Sequence, residues 1–198
     1  WWARTFRPAP IVARTDFGSW MALDLNDWVQ YLILRNGAYE PGTIALLRRL
    51  LRPGGCFVDV GGNVGQHTLA AAGVVGSAGR VVVLEPSPQV FPQLLRNLAL
   101  NELRHVEPVL AAASNRAGLI RLRLVPEDNL GTGGEAAPDD AAAYNAPVVE
   151  LAPLLESLQV PSVDVVKIDV EGQEQKVLEG LFRTPRYRPT HLLVELRP

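Results

Sequence analysis

Two hydrophobic periodicities divide this chain, and they change over near residue 55. Upstream, apolar residues recur at helical spacing in two stretches. In the first, Asp27 is placed to cap a helix through Trp28, Tyr31, Leu32 and Leu34 that ends near Asn36-Gly37. In the second, Pro41 opens a helix through Ile44, Leu47, Leu50 and Leu51, stopped by Pro53-Gly54-Gly55. Residues 1–20 are rich in aromatic residues, Pro and Arg and show no clear period.

Downstream, short apolar runs alternate with helical stretches. Strands are expected at 56–60, 80–85, 106–111, 163–169 and 191–196, and helices at 63–75, 87–101 and 172–181. Runs such as VVVL and VDVVKI lack polar alternation, which fits parallel strands covered on both faces. The expected fold is therefore α/β: a Rossmann-like, doubly wound, mostly parallel sheet over 53–198, after a helical lead-in at 1–52. Such sheets bind ligands at the carboxyl ends of their strands. Between the third and fourth strands the rhythm breaks. LIRLRLV at 119–125 alternates strictly, and a long loop rich in Gly, Ala, Pro and Asp follows, so an inserted strand and loop are expected at 118–150.

The stretch CFVDVGGNVGQHTL then changes the question from folding to binding. A strand that turns into a helix within a few residues leaves free backbone N–H groups at the helix start, and small residues let a ligand approach. Gly61 and Gly65 stand four apart, with Gly62 between them. Asn63 takes a position that tolerates positive φ, and its side chain is expected to cap the helix. Asp59, before the glycines, would repel a pyrophosphate and suits a cationic group such as an α-ammonium. Glu85 ends the adjacent strand, where a carboxylate accepts hydrogen bonds from ribose hydroxyls, and Pro86 and Ser87 follow it into the same crevice. One acid for an amine and one for a ribose describe S-adenosylmethionine. A dinucleotide site and purely structural glycines stand as the alternatives.

Composition narrows the class. The chain has 198 residues and 47% apolar content, enough to bury one elaborated domain. A formal charge of −2 with no basic stripe predicts neither nucleic acid nor membrane as partner. No run approaches the ~20 apolar residues of a membrane span. The lone Cys56, in an apolar strand, excludes an intrachain disulfide and fits a reducing, cytoplasmic setting. WWARTFRPAP has neither an initiator Met nor an apolar signal core, and reads as an internal start within something longer.

Taken in order, FVDVGGNVGQHTL, GRVVVLEPSP, VDVVKIDVEGQE and LLVELRP resemble the successive motifs of FkbM-type methyltransferases, and DWVQYLILRNGAYEP resembles that family's helical lead-in. The resemblance covers roughly 24–198. It implies a class I, Rossmann-like enzyme that uses S-adenosylmethionine to methylate a hydroxyl of a sugar, glycan or other small molecule. Two departures stand out. Gly62 replaces the family's usual Ala, which on residue size alone is a harmless exchange. The sequence also stops at the fifth strand, where class I enzymes add two more. That strand is then an open edge, available to a second copy of the chain, and a truncated, non-catalytic binding module is the alternative function.

Candidate chemistry concentrates in VDVVKIDVEGQEQ. Asp169 ends the fourth strand and Glu171 follows it, and the resemblance implies that this segment lines the active site. Both are candidate catalytic groups, with His67 as an acid–base candidate; Asp169 also borders the cofactor. Lys167, in an otherwise apolar strand, needs a carboxylate partner, Asp164 or Asp169. Asp169, Glu171 and His67 match no diagnostic metal spacing, so no metal is expected. Ala112 and Ser114 are expected near the adenine by analogy with the fold, and Glu195 near the acceptor. Asn129, Gly131 and Gly133 resemble the family's N-x-G-x-G segment, as a lid or a linker. Glu174, His105 and His191 read as structural.

Overall fold

The computed structural model describes residues 9–124, 134–137 and 139–195. It opens with a hairpin that the sequence pattern does not announce: β1 (Ile11–Arg14) pairs antiparallel with β2 (Trp20–Leu23). Four-residue strands show too little alternation to be read. What fixes β2 lies far away in sequence. The side chain of Asn101 accepts the Trp20 N–H at 2.8 Å, and Asn97 accepts the Ala22 N–H at 2.7 Å. Two asparagines thus stand in for a third strand.

Helices α1 (Trp28–Asn36) and α2 (Pro41–Leu50) follow as expected. Asp27 caps α1 by accepting the Gln30 N–H at 2.9 Å, and Gly37 ends it at φ 77°. The alternating core then runs β3 (Cys56–Val60), α3 (Gln66–Val75), β4 (Arg80–Leu84), α4 (Phe91–Ala99) and β5 (Val106–Val109). After the insertion come β9 (Val165–Ile168), α6 (Glu174–Phe182) and β10 (His191–Val194). The five strands form one parallel sheet, ordered β10-β9-β3-β4-β5. The fold is the doubly wound, Rossmann-like α/β class, and β10 is an edge strand among the described residues.

The insertion is more than a strand and a loop. It holds β6 (Ala112–Ala113), β7 (Gly118–Arg123) and β8 (Ala143–Val149) in a second sheet ordered β6-β8-β7, and then α5 (Leu151–Ser157). Pro147 and two alanines weaken the apolar pattern of 143–150, which conceals β8, although Pro147 sits in register with Leu119. Asn129, Gly131 and Gly133 lie outside the described residues.

Strand parity sorts the core. Phe57, Val81, Val83 and Val165 face α3 and α4, together with Met21, Leu23, Ile33 and Leu47 from the lead-in. Val58, Val60, Val82, Leu84, Val166 and Ile168 face α5 and α6 through Leu151, Leu155, Val177 and Leu181. Each fully buried Leu, Ile or Phe here contributes about 1.5–3 kcal/mol. Cys56 belongs to the second layer, where burial pushes its thiol up to about 11 and keeps it neutral.

Candidate functional site

Register alone assembles the site. Val60 lies opposite Leu84 on one side and Ile168 on the other, and Ile168 lies opposite Val194. The next residue of each strand is therefore Glu85, Gly61, Asp169 and Glu195, in one row along the carboxyl edge of the sheet. Gly61 has φ +85°, and a Cβ there would run into the carbonyl oxygen of Asp169. Only glycine lets these two strand ends sit side by side.

Glu85 ties the row to the turn. One carboxylate oxygen accepts the Asn63 N–H at 2.9 Å, the other the Ser87 N–H at 2.8 Å. Burial pushes its carboxyl up to about 7, although both N–H groups favour the charged form. Asn63 has the positive φ expected, 49°, but it does not cap α3. Its Oδ1 accepts the Val64 N–H at 2.8 Å inside the turn, and Gly65 is the N-cap, at φ 92°.

Gly62 corrects an expectation. A Cβ at this position would overlap a methyl of Val83, so alanine is not a neutral exchange in this chain.

Asp59 is fully buried and faces α3 rather than the crevice. Its Oδ2 accepts the Thr68 hydroxyl at 2.6 Å, and Lys167 Nζ stands 3.9 Å from its Oδ1. Lys167 also donates to Asp169 Oδ2 at 3.0 Å. Of the two expected partners for Lys167, Asp169 is one and Asp164 is not, since Asp164 accepts the Cys56 N–H and meets Arg52. Burial works against the Lys167 ammonium, but Asp59 and Asp169 outweigh it and keep the group charged. Burial likewise pushes Asp169 up, yet Lys167 and hydrogen bonds from Glu195 and Lys167 hold it below the usual carboxylate range.

Two cavities meet at this row. The first is lined by Glu85, Pro86 and Ser87, by Ala112 and Ala113, by Ile120, Leu122 and Tyr144 of the inserted sheet, and by Val170 and Gln173. The second is lined by Trp28, Tyr39, Glu40, His67, Lys167 and Glu195. Gly61, Asn63, Asp169 and Glu171 border both. They form a shared partition between a slot that sets the Glu85 carboxylate beside apolar side chains, with Arg123 and Glu135 also in its lining, and an acidic, aromatic-rimmed hollow.

Of the residues singled out in the sequence, Gly61, Asn63, Glu85, Pro86, Ser87, Ala112, Asp169 and Glu171 line the first cavity. Gly62 and His67 line only the second, while Asp59, Gly65 and Ser114 line neither. Ser114 donates its N–H to Val149 and closes β6 against β8. Burial holds the His67 imidazole down to about 3, so it is neutral; its Nε2 lies 3.3 Å from Gln66 Nε2 and 3.7 Å from Glu40. The group able to hold a cation is not the one containing His67: Asp169, Glu171 and Glu195 each bring an oxygen to within 4.8 Å of the others. Glu174 is structural, as read, accepting the Gly172 N–H at 3.0 Å to shape the loop carrying Glu171. His105 and His191 lie away from both cavities; His105 Nε2 sits 3.2 Å from the Ala72 carbonyl, and His191 opens β10.

Three contributors escaped the sequence. Tyr144 stands over the first cavity with its hydroxyl 3.5 Å from the Pro86 carbonyl. Gln66 grips the Tyr39 backbone at two points, 2.6 and 2.7 Å, fixing the wall that carries Glu40. Gln173 reaches Glu135 of the insertion at 3.0 Å. Only Ile120 and Leu122 left a trace, in the alternation of LIRLRLV.

No helix among the described residues is long and apolar enough to cross a membrane. The chain is 29% identical to the hexuronic acid methyltransferase AglP of Haloferax volcanii, over 72% of this chain and 56% of that protein. It is 27% identical to the 31-O-demethyl-FK506 methyltransferase FkbM of Streptomyces tacrolimicus, over 66% of this chain and 61% of that one. A protein-L-isoaspartate O-methyltransferase of Triticum aestivum is 31% identical over 69% of this chain and 55% of its own length. The chain thus spans little more than half the length of these relatives. The sequence profile of the methyltransferase FkbM domain matches residues 59–198, and the chain belongs to that family.

Proposed function

We propose that this chain binds S-adenosylmethionine in the first cavity and catalyses transfer of its methyl group to a hydroxyl oxygen of a small molecule or glycan in the second. The observation that carries this reading is the partition of Gly61, Asn63, Asp169 and Glu171, which both cavities share. A reacting centre needs its two substrates in line across such a boundary.

The residues fit the cofactor. Glu85 has each oxygen engaged by one backbone N–H, which leaves lone pairs for two ribose hydroxyls. Ala112, Ala113, Ile120 and Leu122 offer apolar surface for a base. When bound, the cofactor supplies an electrophilic methyl group on a sulfonium. Asp169 and Glu171 present carboxylates to its cationic end, while Asp59 acts from behind, through Lys167. On the acceptor side, the same carboxylates orient the hydroxyl and take its proton as the oxygen–carbon bond forms.

Calorimetric titration with S-adenosylhomocysteine, with NAD in a parallel cell, tests the cofactor. Micromolar binding of the first alone is expected. Binding of NAD instead would overturn the reading.

A further inference from the structure

Gln173, which lines the first cavity, is only half satisfied. Its Nε2 donates to Glu135 Oε2 at 3.0 Å, while its Oε1 is buried and receives no hydrogen bond among the described residues. A buried carbonyl oxygen in that state calls for a donor from outside the chain. The amide cannot simply turn over, because a carboxylate accepts hydrogen bonds and does not donate them. Lys176 Nζ, 3.8 Å from the same Glu135 oxygen, adds a second donor there. Glu135 is in turn fixed to the inserted sheet. It bridges to Leu122 of β7, and on either side the Arg123 N–H reaches the Gly134 carbonyl at 3.0 Å and the Ala136 N–H the Arg121 carbonyl at 2.9 Å. Through Glu135, Gln173 is thus tied to the strand whose Ile120 and Leu122 offer surface to the base. Those two residues, with Ala112 and Ala113, bring no side-chain acceptor to it. Asn63, Glu85, Ser87 and Asp169 of the same lining each already accept from a backbone N–H or from Lys167.

We infer that Gln173 reads the base of the bound nucleoside: its Oε1 accepts a hydrogen bond from an exocyclic amino group, such as the one adenine carries at C6. Glu135 is the positioning residue that fixes the amide in this sense. The inference rests on the cofactor reading above. A base with an oxo group in place of the amino group sets acceptor against acceptor. Turning the amide to suit it would bring Oε1 against the Glu135 carboxylate, so the pair resists both arrangements. A site built around a buried hydrogen bond rejects the analogue that leaves it unpaired.

The test is calorimetric binding of two matched pairs to the purified chain. One pair is S-adenosylhomocysteine and its deaminated counterpart, S-inosylhomocysteine. The other is 5′-methylthioadenosine and 5′-methylthioinosine, which lack the amino-acid end. In each pair the amino compound is expected to bind at least tenfold more tightly. Gln173→Leu should narrow both ratios at least fivefold, by weakening the amino compounds. Glu135→Ala frees the amide to turn and should narrow both ratios by improving the oxo compounds, whereas Glu135→Gln keeps an acceptor and should preserve them. Wild-type ratios near one overturn the inference. So do variants that weaken all four ligands alike and leave the ratios unchanged, which is what mere support of the fold would give. Loss of affinity in Gln173→Leu for S-adenosylhomocysteine but not for methylthioadenosine also overturns it, by moving the residue to the amino-acid end. A wild-type chain that binds none of the four removes the earlier cofactor reading instead, and the two failures are distinct.

Discussion

Asp59 and Lys167 lie directly opposite each other on β3 and β9, and their charged groups stand 3.9 Å apart beneath the carboxyl edge of the sheet. Both are buried, and Asp169 completes the set on the crevice side. Removing the ammonium leaves the fully buried Asp59 carboxyl without its counter-charge, with the part-exposed Asp169 as its neighbour, so Lys167→Met should cost about 3–5 kcal/mol. The loss should also depend on pH. Burial already pushes the Asp59 carboxyl up, and Lys167 opposes this. Without Lys167, Asp59 rises further above its unfolded value. A raised acid stabilises the fold below its unfolded value and loses that contribution as pH rises. The deficit should therefore be larger at pH 8 than at pH 5 in urea titrations; an equal deficit would mean that the triad carries no net electrostatic weight.

Glu85 should respond in two ways. Its carboxyl titrates at about 7 in the fold against 4.5 when free. Protonation therefore stabilises the folded chain fully below pH 4.5, and that contribution fades as pH rises to about 7. Glu85→Gln should flatten this part of the stability profile. Binding runs the other way, because ribose hydroxyls need the ionised carboxylate. Affinity for S-adenosylhomocysteine should weaken as pH falls below 7, by up to about tenfold per pH unit. Glu85→Ala should weaken it more than tenfold at pH 8, where each decade is ~1.4 kcal/mol. An unchanged dissociation constant would remove Glu85 from the cofactor site.

Gly62 and Val83 should behave as a pair. Gly62→Ala drives a methyl into the Val83 side chain, an overpacking expected to cost about 1–3 kcal/mol. Val83→Ala alone leaves a cavity. Together the two changes should cost less than their sum, by about 1 kcal/mol, in a double-mutant cycle read by thermal unfolding. Strict additivity would show that the turn relaxes away from β4.

Tyr144 should report how far the inserted sheet serves the cofactor. Tyr144→Ala opens the first cavity and should weaken S-adenosylhomocysteine about tenfold, as loss of a buried aromatic contact does. Tyr144→Phe keeps the ring and should change affinity less than about threefold, since the 3.5 Å contact to Pro86 is long for a hydrogen bond. If alanine and phenylalanine weaken binding equally, the hydroxyl and not the ring is what matters.

The sheet was legible because VVVL, VDVVKI and the glycine turn are local signals of strand, burial and strand-to-helix reversal. The row Glu85–Gly61–Asp169 followed from them, since parallel strands of similar length end together. The direction of Asp59 was legible in principle as well. It shares parity with Phe57, and the strand turns that face toward α3. What no local pattern carries is the partner across the sheet. Lys167 meets Asp59 through register, Tyr144 reaches Pro86 through the fold of the insertion, and Gln66 holds Tyr39 across two elements. The hairpin β1–β2 stayed hidden for the same reason, because its outer N–H groups are satisfied by Asn97 and Asn101.

Asn97 is fully buried and joins two distant parts of the chain. Its oxygen accepts the Ala22 N–H at 2.7 Å, and its nitrogen donates to the Val64 carbonyl, next to Asn63 in the glycine turn, at 2.8 Å. A carboxamide is a rigid plane, so neither contact can shift without tilting the other. Ala22 is thereby a distant gauge of the turn. When the turn is clamped by a ligand, the exchange of the Ala22 amide proton with solvent should slow, although nothing touches the hairpin itself.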